Sequence, residues 1–399
     1  QRIFFDCNAS YGPRGHAPPH LRLDLPSLLD DLDQYGIAAA LVRHQQAILH
    51  DPMAGNLRLI KEISPHRDRL HPCWVATPNI AGDMPSETEF GHLMRAHGVR
   101  AVQLSPGPDK YPVVPRVLGS MAEVLAANSA LILAPWHAFN DPYRDIKALA
   151  DICQWNPIIL TGMSWRDYRM VCAVLVACPN VNIEMSAFQA NRVVETFTGR
   201  FGSHRLFFGS GHPDHSAGAA RALMDWSLAD AAVVDQVAGL NLCAALGIDA
   251  STLPAPPPPT EPIQQQARQG AALTELVIDA HCHVMGNDET SSTGIVMMQG
   301  DAAGQLEVSS RCGIDVTAMM SWQGPWGGDV WVGNALIKRL VQDHPASILG
   351  LSSVDPLQQT PEAMLDTIRP LHETSCFPGI KPYFPTNGVH YHDPVYDAI

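Results

Sequence analysis

Short apolar runs separated by amphipathic stretches recur along most of the chain. In the first 250 residues the strand-like runs are 3–6, 37–42, 72–77, 99–104, Ala130–Ala134, Pro157–Leu160, Val181–Met185 and Leu206–Phe208. Between them, stretches such as Met121–Ala127, Tyr168–Ala177 and Ala220–Val237 carry the 3.6-residue period of helices. Eight strand–helix units in roughly 250 residues fit a closed (β/α)8 TIM barrel better than an open doubly wound sheet. No GxGxxG, and no GxxxxGK followed by Ser or Thr, comes after the first strand, so nothing points to a nucleotide fold.

The pattern breaks at Ser251–Glu275, where Pro254-Ala255-Pro256-Pro257-Pro258-Pro259 can sustain neither a helix nor a central strand. We read 251–274 as a Pro-rich linker, with Gln264–Ala271 as a short helix inside it. Beyond it the same grammar restarts. Ile3–Phe5 runs into Asp6-Cys7-Asn8-Ala9-Ser10, and Leu276–Ile278 runs into Asp279-Ala280-His281-Cys282-His283. Gly36-Ile37 and Gly313-Ile314 each open an apolar strand. Helices beginning near Asn56 and Asn334 are followed by His66 and His344, then by strands ending at Pro78 and Pro356, each pair 278 positions apart. Gly98-Val99-Arg100 matches Gly379-Ile380-Lys381 at an offset of 281. Matches in order with slowly drifting offsets indicate a tandem duplication. The expected domains are a complete barrel over 1–250 and the first half of a second, incomplete TIM-barrel repeat over 275–399. Half a barrel leaves open sheet edges. The second repeat is therefore expected either to be interrupted at Ile399 or to pack on the first, and interruption is the favoured reading.

Composition narrows the function classes. The 399 residues carry 26 Lys and Arg against 40 Asp and Glu, a net charge of −14, which argues against nucleic acid or an anionic membrane as partner. No apolar run reaches the roughly 18–20 residues of a membrane span. The nine cysteines are odd in number and lack CxxC spacing, as expected of reduced thiols in a cytoplasmic protein. The opening Gln1-Arg2-Ile3-Phe4-Phe5 enters a strand directly and does not read as a signal peptide.

The chemistry concentrates at Asp279-Ala280-His281-Cys282-His283. Side chains alternate along a strand, so His281 and His283 share a face. At the C-terminal end of a first barrel strand that face looks into the mouth where barrel active sites lie. Two imidazoles there suit a divalent ion, with Asp279 orienting them or the strand end. The competing reading has both rings satisfied by backbone or water.

The Ile278-Asp279-Ala280-His281-Cys282-His283 opening, with Gly379-Ile380-Lys381 on the fourth strand, resembles the amidohydrolase superfamily, in particular its amidohydrolase-related (amidohydrolase 2) group of metal-dependent barrel hydrolases. Phe208-Gly209-Ser210-Gly211-His212-Pro213 looks like the family's strand-eight FGSDxP, and Asn241-Leu242-Cys243-Ala244-Ala245-Leu246-Gly247 resembles its closing NAxxLFG helix. The resemblance implies a metal held by two histidines after strand one, one each from strands five and six, and an Asp after strand eight. Repeat one departs from every position. Asn8 and Ser10 replace the paired histidines, strands five and six end Leu133-Ala134-Pro135 and Leu160-Thr161-Gly162, and Gly211 stands where the Asp belongs. It reads as a metal-free, non-catalytic barrel whose His137, His212 and His215 lie near the mouth as satisfied loop histidines, with a vestigial or novel site as the alternative. A divalent metal, zinc being the expected ion, is assigned to repeat two only. Lys381 reads as a carbamylated bridging ligand, as a cation for a substrate carboxylate, or as a surface lysine. His390 and His392 line the pocket or lie in plain loop. Trp322, Trp326 and Trp331 form an aromatic lid or pack the rim.

The implied function is metal-dependent hydrolysis of a C–O or C–N bond in a small carboxylated substrate. Two alternatives stand beside it: decarboxylation, which the same family also performs, and a non-catalytic scaffold in which repeat one is an oligomerisation partner. Weak or absent activity is expected of these 399 residues alone.

Overall fold

The computed structural model describes residues 2–269, 271, 273–286, 296–326, 328–373, 376–382, 387–397 and 399. Two compact units divide the chain, Gln1–Gly270 and Ala271–Ile399.

The first unit is built on eight parallel strands in sequential order: β1 Phe5–Tyr11, β2 Ala39–His44, β3 Leu70–Ala76, β4 Ala101–Leu104, β5 Leu131–Pro135, β6 Ile158–Thr161, β7 Val181–Glu184 and β8 Leu206–Phe207. Helices cover the outer face, so β1 and β2 are buried along their whole length. The sheet turns back on itself just past β8. There Cys7 N–H donates to the Phe208 carbonyl (2.9 Å), Ser10 N–H to His212 (3.0 Å) and Gly211 N–H to Asn8 (3.0 Å). The barrel floor is packed by Phe5, Leu41, Leu131 and Ile159 against Leu242 and Leu246 of the helix Asn241–Leu246. Filling is therefore concentrated at the N-terminal end, and the C-terminal ends of the strands surround a cavity of about 600 Å³.

The helical stretch expected over Ala220–Val237 is broken. A helix Ala217–Asp225 stops, and a new one begins at Ala231. Between them Ser227 donates its Oγ–H to Glu195 (2.9 Å), a tertiary contact that overrides the local period. The helix Pro262–Arg268 belongs to the first unit. Its Arg268 guanidinium donates to the carbonyls of Asp33 and Gln34.

The second unit is a four-stranded parallel sheet in the order β12-β11-β10-β9, with β9 Ile278–Val284, β10 Val316–Ser321, β11 Ile348–Val354 and β12 Gly379–Pro382. Its core lies on the helical side of the sheet, where Met319 and Ile348 meet Leu336, Ile337 and Leu371.

Several local devices recur in both units. In each, the pairing of the first two strands shifts register after the strand-one aspartate, between Asp6 and Ala9 and between Asp279 and Cys282. The glycines before the second strand both take left-handed backbone, Gly36 at φ +65° and Gly313 at +73°. Asp51 caps the helix Pro52–Glu62 and Asp329 caps Val330–Asp343, which places both helix starts four residues before the expected asparagines. Those asparagines are buried and clamp the third strand. Asn56 donates Nδ2–H to the Val75 carbonyl and accepts from its N–H, both at 2.9 Å. Asn334 does the same to Ser353 at 2.9 and 2.8 Å.

Candidate functional site

Side chains of chemical interest gather at the strand C-termini of both units. In the second unit the register shift at Asp279 turns the end of β9. The Asp279 carboxylate accepts from the His281 backbone N–H at 3.0 Å, so it shapes the strand end rather than holding a ring. His281 Nε2 and His283 Nε2 face each other at 3.4 Å. His281 is exposed and His283 half-buried, with its ring edge-on to Trp322 at 5.3 Å. Burial depresses the His283 pKa to about 4, helped by the charges of His281 and Lys381. The His283 ring is thus held in the neutral form that binds metals.

Lys381, on β12, is therefore close enough to act electrostatically at this pair. Cys282 points the other way, its Sγ 3.4 Å from Gln305 Oε1, and burial pushes its pKa up to about 12, which removes it as a thiolate ligand. Trp322 and Trp326 stack at 4.9 Å, whereas Trp331 is exposed on the helix Val330–Asp343. His390 and His392 are exposed and stack on each other at 5.3 Å. Among the described residues no three His, Cys, Asp or Glu side chains come together as a metal site.

In the first unit Asn8 and Ser10 are engaged in hydrogen bonds. Asn8 accepts from the Arg43 guanidinium through Oδ1 and donates Nδ2–H to Glu184 at 3.0 Å. Ser10 donates to the His212 carbonyl (3.2 Å) and accepts from Gln45 (2.8 Å). Gly211 stands at φ +69°, and a Cβ there would lie 2.7 Å from the His215 ring and 3.0 Å from Ser186 Cβ. No aspartate fits at that position without rearrangement.

Three charged groups in this cluster were not singled out from sequence. Asp6 is fully buried, accepting from the N–H groups of Asn8 (2.8 Å) and Ser210 (2.9 Å); desolvation raises its pKa against those bonds. Glu184 accepts from Gly162 N–H (2.8 Å) and Ser186 N–H (2.6 Å), and burial raises its pKa too. Arg43 donates Nη1–H to Gln103 Oε1 at 2.6 Å. A polar residue near the end of an otherwise apolar strand, as in Ala39-Ala40-Leu41-Val42-Arg43 or Val181-Asn182-Ile183-Glu184, was the available signal. His212 lies in the loop after β8, beside the cluster. It is buried, with Nδ1 3.0 Å from the Asp31 carboxylate.

By sequence the chain matches no protein family and no curated protein. Its fold matches solved barrels. A 5-carboxyvanillate decarboxylase from Sphingomonas paucimobilis superposes with a TM-score of 0.50 at 12% identity, over 62% of this chain and 100% of that one. A 2,6-dihydroxybenzoate decarboxylase solved with 2,6-dihydroxybenzoate gives the same figures. A dihydroxybenzoic acid decarboxylase from Polaromonas sp. JS666, solved with manganese and 2-nitroresorcinol, gives 0.51 at 11% identity, over 63% and 99%. About 247 residues make up 62% of the chain, against 129 from Ala271 to Ile399, so the match runs through the eight-stranded unit. At such identity the likeness is one of fold. Among the described residues no helix is long and apolar enough to cross a membrane.

Proposed function

We propose that the second unit carries part of a divalent-metal site for cleaving a small carboxylated substrate, with decarboxylation placed ahead of hydrolysis of a C–O or C–N bond. The observation that carries this reading is the 3.4 Å approach of His281 Nε2 to His283 Nε2. Two nitrogens on a tetrahedral ion, each at about 2.0–2.1 Å, lie roughly 3.3 Å apart, so the pair fits a shared ion with little adjustment. Decarboxylation is preferred because the solved barrels of like fold act on aromatic carboxylic acids, one of them with manganese bound.

Bound there, the ion would supply a fixed Lewis-acid charge. His281 and His283 would hold it, Asp279 keeps the strand end in the shape that aims both rings, and Trp322 limits the swing of the His283 ring. Lys381 supplies a cation suited to a substrate carboxylate. Two imidazoles suit zinc, while manganese takes more oxygen ligands.

In this reading the first unit is the metal-free member of a tandem pair. The duplication is supported by the shared register shift, the capping aspartates and the paired asparagine clamps. The scaffold alternative draws on the fact that only two ligand-type side chains converge among the described residues. Metal analysis of the full chain after equilibration with zinc or manganese separates them. We expect bound metal that His281→Ala and His283→Ala each abolish. Wild type without metal from either ion would refute the site and leave the scaffold. Release of CO2 from benzoate-type acids by the metal-loaded chain would then separate decarboxylation from hydrolysis.

A further inference from the structure

The cavity at the barrel mouth of the first unit contains a buried cation whose nearest partners are all neutral. Arg43 is 6% exposed and lines this cavity. Its Nε–H donates to the Ala9 carbonyl at 3.4 Å, Nη1 to Gln103 Oε1 at 2.6 Å, and Nη2 to Asn8 Oδ1 and to the Ala9 carbonyl at 3.3 Å. Four of the five guanidinium N–H groups are therefore used, and one on Nη1 is left. Among the described residues no carboxylate forms an ion pair with it. Glu184 is separated from it by the Asn8 amide, which bonds both.

A buried charge is ordinarily paired, because its lost hydration is recovered only by an opposite charge. Here the open cavity lies where that charge would sit. The same wall holds a second unsatisfied group: His212 is 5% exposed, its Nδ1 faces Asp31, and its buried Nε2 has no hydrogen-bond partner. Arg14, Lys110, His137 and His215 also line the cavity, against Asp109 and Asp214, and Asp214 is paired with Arg14. Arg43, Arg14 and Lys110 thus face the cavity against two carboxylates, one of them already paired with Arg14. At about 600 Å³, the pocket is within the usual range for small-molecule sites.

We propose that the first unit is a metal-independent receptor for a small organic carboxylate, which pairs with the Arg43 guanidinium at the base of the barrel mouth. One carboxylate oxygen can accept the remaining Nη1–H in a charge-assisted hydrogen bond, and the organic part has room in the cavity above it.

Calorimetric titration of the full chain with benzoate and with acetate, in EDTA at pH 7, tests this. Chelation removes any anion binding that a metal at His281 and His283 would cause, so this result and the metal result fail separately. Saturable 1:1 binding of benzoate is expected, at least tenfold tighter than binding of the uncharged isostere benzamide. Arg43→Gln should weaken it tenfold or more. Gln103→Glu supplies a second route: it keeps the acceptor 2.6 Å from Arg43 Nη1 but adds the missing negative charge, and should weaken benzoate to a similar degree. If one variant loses its circular-dichroism spectrum, the other decides. Absence of saturable binding for both probes, equal binding of benzamide, or undiminished affinity in a folded variant overturns the proposal.

Discussion

Removing the Asn56 clamp should cost the first unit a large part of its stability. Asn56 is fully buried and replaces, for Val75, the ladder partner that the backbone does not find there. Asn56→Ala removes two neutral hydrogen bonds and leaves the Val75 N–H and C=O buried without partners. Each unsatisfied group costs about 1–3 kcal/mol, so a loss of about 2–6 kcal/mol is expected. Asn56→Asp should cost at least as much. It keeps the acceptor for the Val75 N–H but sets a second acceptor against the Val75 carbonyl. Asn334→Ala should act alike in the second unit through Ser353. Urea unfolding followed by tryptophan fluorescence gives the free energy, with buried Trp74 beside Val75 as a local reporter. Hydrogen exchange at the Val75 amide gives the mechanism. A change below about 0.5 kcal/mol, or a Val75 amide still protected in Asn56→Ala, would refute the reasoning.

The helix caps and one buried histidine lead to further expectations. Asp51→Ala and Asp329→Ala each remove an N-cap acceptor, for Ala54 N–H at 2.9 Å and Val332 N–H at 3.0 Å, and should each cost about 1 kcal/mol in thermal unfolding. His71 packs against Phe5 and has its pKa lowered to about 4, first by burial and then by Arg67. The unfolded chain takes up this proton near pH 6.5 and the folded chain does not, so the stability present above pH 6.5 is lost as pH falls toward 4. The loss is of order 3 kcal/mol. Comparing wild type with His71→Phe from pH 7 to pH 4 isolates it, and a stability difference that stays constant over that range would contradict the assignment.

The alternation of apolar strands with amphipathic helices, the aspartate opening each first strand and the recurrence at 278 residues are all readable along the chain. They are local patterns, set by side-chain period and turn chemistry within about twenty residues. Several strand ends shifted by a residue or two, as in Leu131–Pro135 and Leu206–Phe207, and β1, expected over 3–6, runs on to Tyr11, because pairing decides where a ladder stops. The approach of His281 to His283 was equally legible, since two residues on one strand face need no distant partner. The Arg43–Asn8–Glu184 chain was not. Its members lie 35 and 176 positions apart, and meet only because the barrel closes by hydrogen bonds between β1 and the segment after β8. Sequence alone singled out Asn8, Ser10 and Gly211 as poor candidates for metal ligands. Closure of the sheet determined what surrounds them: a desolvated cation, two buried carboxylates and a cavity, because charge and burial are properties of neighbours that the linear order does not contain.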